Sequence, residues 1–216
     1  TEHTRGREVG LQMRDNPFYS GQFLWTGIDY LGEADWPAVA WSTAPIDRSL
    51  FRRPMFYERA SWWSETPMVH IARMQPNPGG RGGQLVSDWT PHESAPIATA
   101  EVRIFSNCEE VELILNGESL GTREKPADDA PRTWNVPYAP GTIVAIGRND
   151  GREVARHELR TAGPAVRLNV TASRAQLAPG FDNVAFVEVL AVDEHGTPQP
   201  WAEGTVTFSI EGPGRL

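Results

Sequence analysis

The sequence predicts a mostly β chain in three parts: a strand–loop–helix unit over residues 1–66, a β-sandwich of immunoglobulin-like pattern over 67–163, and a truncated second sandwich over 164–216. Three observations predict it. Residues 1–66 hold five of the eight tryptophans, Trp25, Trp36, Trp41, Trp62 and Trp63. Residues 68–163 hold short alternating runs separated by turn signals. From 164 a similar pattern restarts, but it offers only about four strand candidates where an immunoglobulin-like sandwich needs ~7.

In the first part, residues 21–29 form a short apolar run opened by Gly21, with apolar side chains on both parities. That pattern suits a strand buried on both faces, as in a parallel barrel. Gly32 allows a sharp turn after it. A long loop carrying Trp36, Pro37 and Trp41 follows. Pro54 suits the first turn of a helix. Met55, Phe56, Arg59, Ala60, Trp62 and Trp63 then recur at helical spacing and form a face that needs burial, and Pro67 ends the helix. One such unit cannot cover its own apolar surface.

In the second part, residues 68–73 open the sandwich, and residues 76–83 read as a Gly/Pro-rich loop. Residues 101–105 alternate polar and apolar. Residues 111–115 run into Asn116-Gly117, a strong two-residue hairpin signal, with a return strand at 119–122. Residues 134–136 and 142–146 are further strands, and Asn149-Asp150-Gly151 is a second hairpin turn. After a linker at 161–164, the third part offers strands at 166–170, 185–192 and 206–210, with a turn at 193–196.

Bulk properties exclude several classes. No apolar run approaches the ~20 residues of a membrane-spanning helix. A net charge of −8 disfavours nucleic acid and anionic membranes, which call for a basic patch. The single cysteine, Cys108, rules out an internal disulfide framework and is read as a buried structural thiol. The five histidines lack metal-ligand spacing. The first residues have no apolar core of a signal peptide and no initiating Met, so the N-terminus is taken as internal or processed. A periplasmic or extracellular location is favoured over a cytoplasmic one.

Four stretches, taken in order, resemble one family. Gly21-Gln22-Phe23-Leu24-Trp25-Thr26-Gly27-Ile28-Asp29-Tyr30-Leu31-Gly32-Glu33 resembles the eighth barrel strand of family 2 glycoside hydrolases of the β-galactosidase type. The helix from Phe51 to Trp63 resembles the last helix of the same (β/α)8, or TIM, barrel. Ser106-Asn107-Cys108-Glu109-Glu110-Val111-Glu112-Leu113-Ile114-Leu115-Asn116-Gly117 resembles the first strands of the immunoglobulin-like domain that follows the barrel. Phe208-Ser209-Ile210-Glu211-Gly212-Pro213-Gly214 resembles part of a further C-terminal domain. The resemblance implies a retaining hydrolysis of terminal β-galactosides or related β-glycosides by two glutamates. Those glutamates precede the stretch that begins here. The chain alone is therefore expected to be inactive, with no catalytic residue, no metal and no cofactor of its own. Its implied partners are a carbohydrate substrate and the rest of a parent enzyme chain.

Asp29 and Glu33 invite reading as a catalytic pair. Spacing alone does not exclude them, but the resemblance counts against it, and Asp29 is expected to bond loop backbone near the barrel mouth. Trp25 and Asp29 are the substrate-binding candidates. The indole of Trp25 offers a flat apolar face to sugar C–H groups at the barrel end that carries active sites; a core aromatic is the alternative. Trp36 and Trp41 form an outer sugar subsite or pin the loop, and both options stay open. Trp62 and Trp63 are read as packing. The rival reading of the whole chain is a carbohydrate-binding or spacer module of immunoglobulin-like domains. The tryptophan-rich opening unit argues against a plain array of sandwiches.

Overall fold

The structure is a computed structural model that describes residues 2–76, 82–180, 183–212 and 214, with side chains from residue 6 onward. The chain divides into two compact units, residues 1–161 and 162–216.

The first unit opens with helix α1 (Glu2–Asp15) and continues through two-residue strands β1 (Tyr30–Leu31) and β2 (Ala40–Trp41) to helix α2 (Pro54–Trp63). Helix α2 begins where Pro54 sets φ without wasting a donor, after Arg53 in extended conformation. It stops at Ser64, whose N–H still reaches the Ala60 carbonyl. Helix α1 gave no apolar stripe to read in sequence. It is held by charge, with Arg7 on Asp128 at 3.0 Å and Arg14 on Asp129 at 2.9 Å.

Eight strands follow: β3 (Val69–Pro76), β4 (Gly83–Val86), β5 (Thr99–Ser106), β6 (Glu110–Leu115), β7 (Glu118–Glu124), β8 (Arg132–Pro137), β9 (Thr142–Asn149) and β10 (Arg152–Arg160). They form two four-stranded antiparallel sheets, ordered β4-β3-β5-β8 and β10-β9-β6-β7. Alternation fills the space between them. In β5, Ala100, Val102 and Ile104 point inward, and Val111, Leu113, Ile143 and Ala145 answer from the other sheet. Trp89 and Trp134 complete this core, and their indole N–H groups donate to the Ala139 and Leu120 carbonyls. Cys108 is free and fully buried in the same core.

Strand β3 does not alternate: Val69, His70, Ile71, Ala72 and Arg73 are all buried. The reason is α2, which packs against β3 and β5 on the outer face of the first sheet. There Tyr57 joins Phe105, Ala72 and Leu85 in a second small core. Asn107 fastens this arrangement: it accepts from the Met68 N–H and donates to the Ser64 and Thr66 carbonyls. On the far side, buried Arg132 donates to the carbonyls of Ser106, Cys108, Glu109, Arg123 and Glu124. Burial holds its guanidinium below the usual arginine range. Both expected two-residue turns form. Asn116-Gly117 and Asp150-Gly151 take positive φ at both positions, as the I′ turn requires.

The second unit pairs β11 (Arg167–Ala172) with β12 (Val187–Val192) in one antiparallel ladder. Every residue of β11 is exposed. At the end of β12, Asp193 is buried and accepts from the N–H groups of Gly163, His195 and Thr197. Those donors, first that of Gly163, hold its carboxyl below the usual range.

Two expected strands are absent among the described residues. Residues 21–29 form no strand; Ile28 makes a single bridge to Ile46. A strand buried on both faces exists only between neighbouring strands, and no described segment supplies them. Residues 206–210 are likewise irregular, with Val206, Phe208 and Ile210 exposed. The loop expected over 76–83 falls mostly outside the described residues, at 77–81.

Candidate functional site

The opening segment is organised around Asp29. Its Oδ1 accepts from the Ala44 N–H at 2.9 Å, and its Oδ2 from Arg53 Nη2 at 2.5 Å. Arg53 Nη1 also donates to the Ala44 carbonyl, and the Arg53 N–H donates to the Pro45 carbonyl. One buried carboxylate thus ties residue 29, the 44–46 turn and the entry to α2. Burial pushes the Asp29 carboxyl up, but the bonds from Arg53 and Ala44 with the charges of Arg53 and Arg48 outweigh it, and the net shift is downward. Both oxygens of this carboxylate hold the loop to the entry of α2.

Around this knot the aromatic groups lie on the surface. Strands β1 and β2 pair Tyr30 with Trp41. The Tyr30 ring meets Trp25 edge-on, with centroids 6.2 Å apart, and its hydroxyl donates to Glu33 Oε2 at 2.5 Å. That bond raises the Tyr30 pKa. Trp25 is 78% exposed and Phe23 wholly so. Trp25, Phe23 and Trp41 line an open cavity of about 340 Å³ with Thr43, Met55 and Arg59. Asp29 and Trp36 are not among its lining residues, though Ala44, which donates to Asp29, is. Glu33 lies on the surface beside Gly32, both at positive φ.

Trp62 is half-buried, donates to the Asp129 carbonyl at 3.2 Å and lies beneath the Arg59 guanidinium. Trp63, read as packing, is 66% exposed. Both border a second cavity, of about 460 Å³, together with Arg7, Arg14 and Gln22. Arg59, on the helix face expected to need burial, is buried. Its position in a Trp-rich helix at 3–4 spacing was the only signal in sequence.

A distinct cluster joins α2 to the sandwich. Tyr57 stacks on His70 with centroids 3.5 Å apart, and His70 meets His157 at 4.5 Å. His157 Nδ1 accepts from the Ile71 N–H, so its proton sits on Nε2. Burial and the charge of His157 push His70 down to about 3. Burial lowers His157 as well.

Comparison with known proteins gives this geometry its context. Residues 168–216 match the glycoside hydrolase family 2 C-terminal domain 5, and residues 98–155 match a domain of unknown function (DUF4982). A solved glycosyl hydrolase family 2 member from Bacteroides cellulosilyticus superposes on 91% of this chain and 26% of its own, at a TM-score of 0.76 and 30% identity. This chain belongs to glycoside hydrolase family 2. A β-galactosidase of Bacteroides ovatus is 33% identical over 94% of the chain, and a putative β-glucuronidase of Formosa agariphila is 31% identical over 98%. The chain spans 22% and 20% of the length of those two relatives.

Proposed function

We propose that this family 2 chain is part of a retaining β-glycosidase that acts on terminal β-galactosides or related β-glycosides. Residues 1–66 are read as the last βα unit of its (β/α)8 barrel. Retaining hydrolysis uses two carboxyls ~5–5.5 Å apart. Asp29 is committed to Ala44 and Arg53, and the family resemblance implies an acid and a nucleophile from polypeptide that precedes this stretch. The contribution of this chain is binding. The indole of Trp25 meets the apolar face of the sugar, Trp41 closes the side of the subsite, and Asp29 acts by holding the loop in place.

The observation that carries this reading is the exposed indole of Trp25 at the rim of a cavity it shares with Trp41. The test uses the parent enzyme and aryl β-galactoside and β-glucuronide substrates. Trp25→Ala is expected to lower kcat/KM for the preferred glycoside by roughly tenfold to a hundredfold, about 1.4–2.8 kcal/mol of transition-state binding. The 216-residue chain by itself is expected to turn over neither substrate. Turnover by the chain alone, or an unchanged kcat/KM in the variant, contradicts the proposal.

A further inference from the structure

Arg59 is buried in the fold with part of its guanidinium left without an acceptor. It is 8% exposed, and among the described residues its Nε has no hydrogen-bond acceptor. Its guanidinium lies 5.0 Å over the Trp62 ring and against Gly6 of α1, where a β-carbon would collide with Nη2. Glu58, the next residue along α2, attracts it through space without bonding Nε. Desolvating a guanidinium costs several kcal/mol unless an anion with matching hydrogen bonds compensates. Burial accordingly pulls Arg59 below the usual arginine range.

Arg59 opens onto the 340 Å³ cavity whose rim carries Phe23 and Trp25. The two observations fit one occupant. An uncovered aromatic rim calls for an apolar cover, and a desolvated cation at the floor calls for an anion within that cover. A free anion would satisfy Arg59 and leave Phe23 wet. The relatives are four to five times the length of this chain, so polypeptide is at hand. We propose that another segment of the parent enzyme covers Phe23 at this cavity and hydrogen-bonds Arg59 through an Asp or Glu side chain, leaving the side lined by Trp25 and Trp41 open. This rests on the barrel reading above and adds to it a specific ion pair between α2 and the remainder of the barrel. Bidentate geometry suits the planar guanidinium.

The test is the structure of the full-length parent enzyme together with substitutions in it. A carboxylate oxygen about 3 Å from Arg59, with Phe23 covered, is the expected result. If Phe23 is covered but Arg59 meets only water, backbone carbonyls or a small anion such as a uronate, the ion pair is wrong and the barrel reading stands. If Phe23 remains open to solvent, the barrel reading falls too. In solution, Arg59→Glu and the partner carboxylate→Arg are each expected to cut the yield of active enzyme at least tenfold, and the double exchange to restore most of it. No recovery in the double variant contradicts the pairing. Should the single variants not fold, the structure of the unaltered enzyme still decides.

Discussion

The segment between residues 16 and 66 is richer in large apolar side chains than the sandwich between 69 and 160, and the two regions treat them in opposite ways. In the sandwich, Ile71, Val102, Ile104, Leu113 and Ile143 are fully buried. In the segment, Phe18, Phe23, Trp25, Leu31, Trp36 and Trp63 are each more than 60% exposed, while polar Asp29 and Arg59 are buried. A region that makes its own core buries its apolar residues. A region shaped to share a core shows them, and keeps only its internal polar knot out of water.

Core truncation separates the two regions most sharply. Ile104→Ala in the 216-residue chain is expected to cost about 2–5 kcal/mol, the usual range for a fully buried aliphatic. Phe23→Ala in the same chain is expected to cost under about 0.5 kcal/mol, as for a surface site. Denaturant unfolding of both variants measures this, and comparable losses would erase the distinction.

Next in size is Arg132→Met. It removes a buried donor that serves five carbonyls between β5, β6, β7 and β8. Carbonyls left unpaired in a dry interior make this variant less stable by about 2–4 kcal/mol. An unfolding midpoint within error of the parent's would mean that water replaces the guanidinium at no cost.

The pH response sharpens the comparison at the joint between the regions. His70 is neutral when folded, with its pKa held at about 3 by burial and by His157. In the unfolded chain it titrates near its ordinary value of ~6.5. As pH falls below ~6.5 the unfolded state takes up a proton that the folded state refuses, so stability is lost down to about pH 3 and is fully present above ~6.5. His157 acts in the same direction. His70→Phe keeps a ring against Tyr57 and removes one titration. Relative to the unaltered chain, it should gain about 2 kcal/mol between pH 7 and pH 4.5. Identical pH slopes in the two proteins would show that His70 is protonated without unfolding.

The smallest effect belongs to the second unit. Asp193→Asn keeps the side chain's shape but weakens the acceptor for Gly163, His195 and Thr197. Faster amide exchange confined to those three residues is the expected signature; unchanged exchange would mean the charge adds nothing to this turn.

The same contrast explains what could be read in advance. Strands β5 and β6 and the turns at Asn116-Gly117 and Asp150-Gly151 were legible, because alternation and positive φ are local properties. Helix α2 was legible from Pro54 and its spacing. Strand β3 was recognisable as a strand, but burial on both its faces reflects the packing of α2, which no local pattern records. Helix α1 was invisible because ion pairs to the loop after β7 hold it. The run at 21–29 read as a doubly buried strand and is irregular, since its apolar pattern describes neighbours that the described residues do not provide. At the candidate site, Trp25 and Asp29 were found by motif. The pairing of Trp41 with Tyr30 and the unbonded Nε of Arg59 arise from tertiary contacts.

Hydrogen exchange on the 216-residue chain and on the full-length parent enzyme tests the central claim most directly. Amides of β3, β5, β6 and β9 should show equal protection in both, and amides of residues 21–53 should become protected at least tenfold more in the parent. Equal protection of residues 21–53 in the two proteins would contradict the account, because the aromatic segment would then be complete without a cover.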